Sequence, residues 1–497
     1  MPIDFAALLL RLDRWVRDGE GGKTRAELES LMDVKIPRPH AAKVGQLAWR
    51  VDLPQLGLRV LNPIVRPREK APVIASQNET AEYAACLLKA GAWDEAGLLL
   101  KNLSPQEVPA IWLYRAFAAV ARWDYPGSIP LLEHYLSEKK LSAYQRMVGE
   151  VNLAAAFVSE HHFQKATPLL RQLLYHSSVQ RSQLVLGRVL ELSAENFIEQ
   201  KKWDKAESFL HKAESVLKES NGIDLFFVKK FRAVIGFRKG NKKALESLRK
   251  EAVERKHWET WRDIDRIEAV AKRDTQLLAH LYYGTPFPIF RESLMKVVKG
   301  WVPPESYQWK MGKGKGEILK VWAGKKDGNE DGLKEGQAVH RLLVVLASDF
   351  YRPFRTATLC NLLYPEEHFH PEHSPTKLRQ ILVRLREWLE EQGLKLSVLE
   401  ENGGYRLHHE GDVTLELVEK VHTASRERPN VLLDQLREKF PLGFGTAEAA
   451  KALGLNPRAL QRLLEKGIES GLIARVGKGK NTRYEFEDEL TATGTGV

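Results

Sequence analysis

The residues best suited to chemistry in this chain are basic, and their spacing favours contact with a polyanion over bond making. In PRALQRLLEKG, Arg458, Gln461 and Arg462 fall on one side of a helix whose other side carries Leu460, Leu463 and Leu464. Arginine can pair bidentately with guanine, and glutamine with adenine. Arg475, Lys478, Lys480 and Arg483 follow, with no acid between Gly471 and Tyr484. A ribbon of that charge suits phosphates. A second basic set is Lys377, Arg379, Arg384 and Arg386, with no acid from Ser374 until Glu387. His368, His370 and His373 lie close to Glu366, Glu367 and Glu372, a spacing that could hold a divalent metal. The stretch YPEEHFHPEHSP falls between two expected helices, however, and a solvated polar loop is the simpler account. No Ser/His/Asp or Cys/His motif stands out, and MGKGKGE lacks the spacing and the terminal Lys-Ser/Thr of a phosphate loop. No enzyme activity, cofactor or metal is therefore expected.

The elements that would position the last basic set are legible. Thr446 is a candidate N-cap, with Glu448 in the first turn. Gly454 supplies a chain reversal, Asn456 a second cap, and Pro457 the first helical position. Leu472–Val476 and Arg483–Phe486 are expected to form a hairpin through Gly477 and Gly479. This segment resembles the winged helix-turn-helix superfamily of bacterial regulators.

A similar plan is expected upstream. Val339, Leu342, Leu343 and Leu346 outline one helix, and Thr358, Leu359, Leu362 and Leu363 a second. A third opens with Ser374 and Pro375 and buries Leu378, Ile381, Leu382, Leu385 and Leu389. Leu394–Leu399 and Tyr405–Leu407 frame a hairpin at Gly403-Gly404. The Arg384-Leu385-Arg386 triplet and Gly404-Tyr405-Arg406 resemble the OmpR/PhoB-type winged-helix domain. The resemblance implies that the third helix reads the major groove and that Arg406 on the wing reaches a minor groove. It also implies that the histidine loop touches RNA polymerase. Two departures are an acidic wing, Glu400-Glu401, and an apolar Leu382-Val383 in the third helix.

The middle of the chain repeats. Ala96, Ala166, Ala206 and Ala244 align, each followed four residues later by Leu100, Leu170, Leu210 or Leu248. Ala84, Ala154 and Ala194 precede three of them by 12 residues. A fifth unit keeps Trp123 and Asp124 but places Pro126 at the alanine position. Small residues at such spacing let paired helices approach closely, so a stack of antiparallel pairs is expected. The pattern resembles tetratricopeptide (TPR) repeats, although Ala166 and Ala206 lie 40 residues apart. Trp93, Trp123, Trp203, Trp258 and Trp261 fall near the pair turns and are expected to pack there. In residues 1–70, Thr24 and Glu27 suit a capping box, and LGLRVLN suits a strand after a helix at Ala41–Val51. Either a degenerate winged helix or a small helical cap accounts for them.

The 497 residues, with 43% hydrophobic content, leave room for several cores. Net charge is +11, which suits an anionic partner. Cys86 and Cys360 are too few and too far apart for a disulfide framework. No apolar run approaches the ~20 residues of a membrane span, and the amphipathic start lacks a signal-peptide core. No membrane association is expected, and the cytoplasm is the expected location. The expected fold is mainly α with small β wings. It comprises a helical N-terminal region (1–70), TPR-like repeats (75–300), a Pro/Gly linker (301–316), an OmpR/PhoB-type winged helix (317–415) and a second winged helix-turn-helix (416–490). The expected function is transcriptional regulation, with double-stranded DNA on the winged helices and a protein or peptide on the repeats. The alternative is an interaction scaffold whose winged helices dock proteins.

Overall fold

The computed structural model describes residues 3–67, 73–179, 183–218, 223–313, 316–328, 332–365, 367–401, 403–418, 432–433, 436–437, 439–441, 443–469, 473–477, 479 and 482–486. The chain is mainly helical, with three small sheets among the described residues, all toward the C-terminal end. It divides into two compact units, Met1–Leu363 with Phe369–His422, and Tyr364–His368 with Thr423–Val497.

The chain opens with four helices, α1 (Phe5–Arg17), α2 (Gly21–Glu29), α3 (Arg38–Arg50) and α4 (Pro54–Val65). Leu12, Leu28, Val44, Leu47 and Leu56 fill their core. This overturns the degenerate winged helix, because LGLRVLN is the body of α4 and not a strand. Pro54 in the first turn presets helical φ, and three neighbouring helices supply the packing. A Cβ on Gly57 would lie 2.3 Å from Cys86 Sγ and 3.3 Å from the Gly45 Cα, so the helices meet through glycine. Thr24 is not a cap. It is buried inside α2, where its hydroxyl donates to Leu12 O.

Six antiparallel pairs follow: α5 (Gln77–Ala90) with α6 (Trp93–Lys101), α7 (Ala110–Val120) with α8 (Tyr125–Ser137), and α9 (Ala143–Ser159) with α10 (Phe163–Val179). The series continues with α11 (Gln183–Glu199) and α12 (Trp203–Leu217), α13 (Ile223–Arg238) and α14 (Lys243–Glu254), and α15 (Trp258–Lys272) and α16 (Thr275–Tyr283). A last helix is α17 (Pro288–Val297). Every pair turns in the same way. Gly91, Trp123, His161, Lys201, Gly240 and Arg273 take positive φ. The next residue's N–H then donates to the carbonyl five residues back, as in Ala92 to Leu87, His162 to Phe157 and Lys202 to Phe197. This is a Schellman closure, which satisfies carbonyls at the helix end. Ala84, Ala96, Ala154, Ala166, Ala194 and Ala206 have no more than traces of exposed surface, as the close-approach pattern requires. Ala244 departs from it. Leu245 is buried in its place, because Lys242 stands between the turn and α14.

The next part of the first unit holds β1 (Ser306–Met311), β2 (Glu317–Lys320), β3 (Lys325–Lys326), α18 (Ala338–Leu346), β4 (Phe354–Arg355) and α19 (Thr356–Leu363). It continues with α20 (His373–Glu391), β5 (Leu396–Glu401), β6 (Gly404–His409) and β7 (Val413–Val418). One sheet runs β1-β7-β2-β3 and the other β4-β6-β5. Three helices with a hairpin after the third form a winged helix. The expected linker is corrected here. Residues 306–311 are a strand, paired antiparallel with β7 from Ser306↔Val418 to Met311↔Val413. The flanking prolines and glycines hid the alternation of Tyr307, Trp309 and Met311, and Trp309 stacks on Phe350 with ring centroids 3.8 Å apart. Helix α20 begins at His373, so Ser374 lies inside it, and its hydroxyl accepts the His370 N–H.

In the second unit, α21 (Thr446–Leu453), α22 (Pro457–Glu469), β8 (Ile473–Val476) and β9 (Arg483–Phe486) form a helix-turn-helix with a hairpin. Leu433, Leu436, Phe444, Leu460, Leu463, Leu464, Ile473 and Tyr484 fill its core. Gly445, not Thr446, is the N-cap of α21, and the Glu448 carboxylate accepts its N–H at 2.7 Å.

Candidate functional site

The basic residues of the second unit are held outward by the leucines beneath them. Asn456 caps α22 by accepting the Ala459 N–H at 2.9 Å. Leu460, Leu463 and Leu464 are buried, which leaves Arg458, Gln461 and Arg462 exposed on the other side. Gln461 donates to Glu465 at 3.0 Å, a tie along the helix surface that a ligand can replace. Arg475 is exposed on β8. Arg483 is partly committed to its own fold, donating to Gly443 O at 3.0 Å. Lys478, Lys480 and Leu472 lie outside the described residues. Arg458, Arg462 and Arg475 thus offer exposed guanidinium groups of the kind that bind phosphates and base edges.

The first winged helix uses its basic residues differently. Arg379 and Arg384 are exposed on α20, and Lys377 is half-buried. Arg386 donates to Val398 O at 3.0 Å and so braces α20 against the hairpin. Arg406 is turned against the helical array. Its guanidinium lies 5.5 Å over the Trp258 ring and 3.3 Å from Glu401, which also pairs with Lys256 at 2.8 Å. The acidic wing therefore meets a cation of the protein itself.

Those contacts belong to a seam that residue spacing did not reveal. Arg262 on α15 and Asp349, in the turn after α18, pair at 2.7 Å with both side chains fully buried. Burial disfavours the Arg262 cation, but Asp349 and Glu259, with a smaller contribution from Tyr351, together outweigh it and hold the guanidinium charged. Asp349 also accepts the N–H groups of Tyr351 and Arg352, and Tyr351 donates to Asp265 at 2.9 Å. Asn361 on α19 donates to Asp94 at 2.9 Å, while Glu95 accepts the Phe369 N–H at 2.9 Å. The groups that pair across the seam come from residues 86 or more apart in sequence, so no local pattern could announce the pairs.

His370, Glu372 and His373 come within 4.8 Å of one another through their ligating atoms. His370 Nδ1, however, already accepts the N–H groups of Glu372 and His373, and its ring lies 4.3 Å from that of His373. The cluster shapes the turn before α20 through His370 Nδ1, which is engaged by two backbone N–H groups.

Within the array, Tyr125, Arg188, Glu195, Lys230 and Asp263 from α8, α11, α13 and α15 form a charged cluster. Burial lifts the Glu195 carboxyl to about 7, with Lys230 and Arg188 pulling against it and Glu191 and Asp263 adding to it. Burial likewise raises the Tyr125 phenol, reinforced by Asp263 and Glu195. The only sequence signal was acids and bases inside otherwise apolar helices. Trp93, Trp123 and Trp261 are packing residues, contacting the rings of Phe287, Phe290 and Tyr351 respectively.

No protein-family model and no curated protein matches this chain. Among solved structures, it is similar to a Rap protein complexed with competence and sporulation factor, at 12% identity and a TM-score of 0.36. The match covers 78% of this chain and 99% of that one. Among the described residues, no helix is long and apolar enough to cross a membrane.

Proposed function

We propose that this chain is a protein-binding scaffold in which the first winged helix is a built-in end piece of the helical array. The carrying observation is the fully buried Arg262–Asp349 pair, which fixes that winged helix to α15. A desolvated ion pair is a poor design for a module that swings freely, because separating its partners strands two charges. The docked wing, with Arg406 over Trp258, supports the same view. The partner is a protein or peptide bound along the array. No catalytic step is proposed, and the proposed location is the cytoplasm.

A second reading, DNA-binding transcriptional regulation, is favoured by the exposed Arg458, Arg462 and Arg475 of the second unit. An OmpR/PhoB-type role for residues 317–415, with a polymerase contact before α20, rests on the order of elements and the basic face of that helix. Titrating duplex DNA with the full chain tests both readings. The scaffold view expects Arg379→Ala with Arg384→Ala to leave DNA affinity within about twofold. If DNA binds, Arg458→Ala with Arg462→Ala should weaken it tenfold or more, an effect of ~1.4 kcal/mol. Loss through the α20 pair instead would make the first winged helix the reader and overturn the end-piece view.

A further inference from the structure

Tryptophans of different pairs stand at comparable turns, and their surroundings differ. Trp93 and Trp203 are both three residues ahead of the aligned alanine, and each is the first residue of its helix. Trp93 is covered by an aromatic ring of the chain's own, Phe287, with centroids 5.7 Å apart. In the next pair Trp123 is covered by Phe290 at 4.9 Å. Helix α17 and the residue before it supply both covers. Trp203 has no ring partner among the described residues. It opens instead into a groove of about 830 Å³, where Phe237 and Ala271 complete the apolar lining. Lys201, Arg238, Lys242 and Lys272 rim the groove, with Glu199 as the acid among them. Glu199 is paired with Arg238 at 2.7 Å, and Lys272 is tied to Glu268. Lys201 and Lys242 are exposed and have no carboxylate partner among the described residues.

We propose that this groove is a docking site for an acidic segment of a partner protein, which inserts one aromatic or large aliphatic side chain against Trp203 as Phe287 does against Trp93. The proposal rests on the scaffold function and names the partner's chemistry. The apolar lining calls for an anchor, since half-buried aromatic surface gains most from being covered. The two unpaired lysines call for carboxylates beside that anchor, which also speeds encounter. A nucleic acid fits less well. Its phosphates need a track of cations along a strand, whereas these cations surround one recess.

The test uses the full chain and the fluorescein-labelled peptide EDDFFDDE, read by fluorescence anisotropy. QNNFFNNQ and EDDGGDDE serve as controls, beside a labelled oligothymidine. The expected result is saturable binding of EDDFFDDE, weaker by about tenfold or more for each control peptide and for Lys201→Glu with Lys242→Glu. Both substituted lysines are exposed, so helicity by circular dichroism should be unchanged. Equal binding of EDDFFDDE and the controls, no binding up to about 1 mM, or indifference to the lysine substitutions would overturn the site. So would lysine-dependent capture of the oligothymidine in place of the peptide. A random peptide library separates this failure from failure of the scaffold function. Binders indifferent to Lys201 and Lys242 would leave the scaffold standing without this groove, whereas a library without binders would remove both.

Discussion

Single side chains carry two opposite kinds of electrostatic risk. Arg262 and Asp349 are each other's closest opposite charge inside the protein, with Glu259 at 3.0 Å from Arg262 and Arg352 at 3.6 Å from Asp349 as the second partners. Arg262→Met should cost about 3 kcal/mol, because it removes the nearest counter-charge of a fully buried carboxylate and leaves it two backbone N–H groups and the more distant Arg352 at 3.6 Å. Adding Asp349→Leu should recover much of that loss. Urea unfolding of the full chain would measure both, and an unchanged midpoint for the single variant would contradict the seam. Glu195 works in the other direction. Burial raises its carboxyl from the ordinary range to about 7, so the folded state holds a proton that the unfolded chain releases near 4.5. Its contribution to stability is therefore full below about pH 4.5 and is lost as pH rises through 7. Glu195→Gln should flatten that part of the pH profile and raise the melting temperature at pH 8. A variant with the parent's pH dependence would show that Glu195 titrates normally.

At the scale of elements, the array owes its regularity to its turns. His161 takes a φ of 58°, a left-handed conformation that costs an L-residue roughly 1 kcal/mol. His161→Gly should gain up to about that amount, and His161→Val should lose stability, both read by thermal melting. In α12, Ala206 has no exposed surface. Ala206→Trp should therefore cost at least about 1–3 kcal/mol through overpacking, visible as loss of helical signal on mild heating. In α22, Leu463→Ala should destabilise the second unit by about 2–5 kcal/mol. Gln461→Ala and Arg462→Ala should leave its fold intact, since both are exposed. The leucine spacing of α22 and the alanine spacing of α6, α10 and α12 were legible because each records one face of one helix. The β1 strand was not, because its partner β7 lies about a hundred residues away and its flanks carry turn residues.

For the whole molecule, the array and the first winged helix belong to one compact unit, and the seam predicts that they unfold as one body. Amide exchange should show this directly. Arg262→Met should lower protection in α15 and α18 together, and loss confined to α15 would argue for independent modules. Local periodicity by itself determined the helical array, both helix-turn-helix segments and the outward placement of Arg379, Arg384, Arg458 and Arg462. It could do so because burying one face of a helix leaves a mark every three or four residues. Tertiary structure alone decided that Arg406 faces Trp258 and that Arg262 finds Asp349. It also decided that Trp93 is covered while Trp203 opens to a groove. Those outcomes depend on which distant side chain arrives, and sequence spacing carries no record of it.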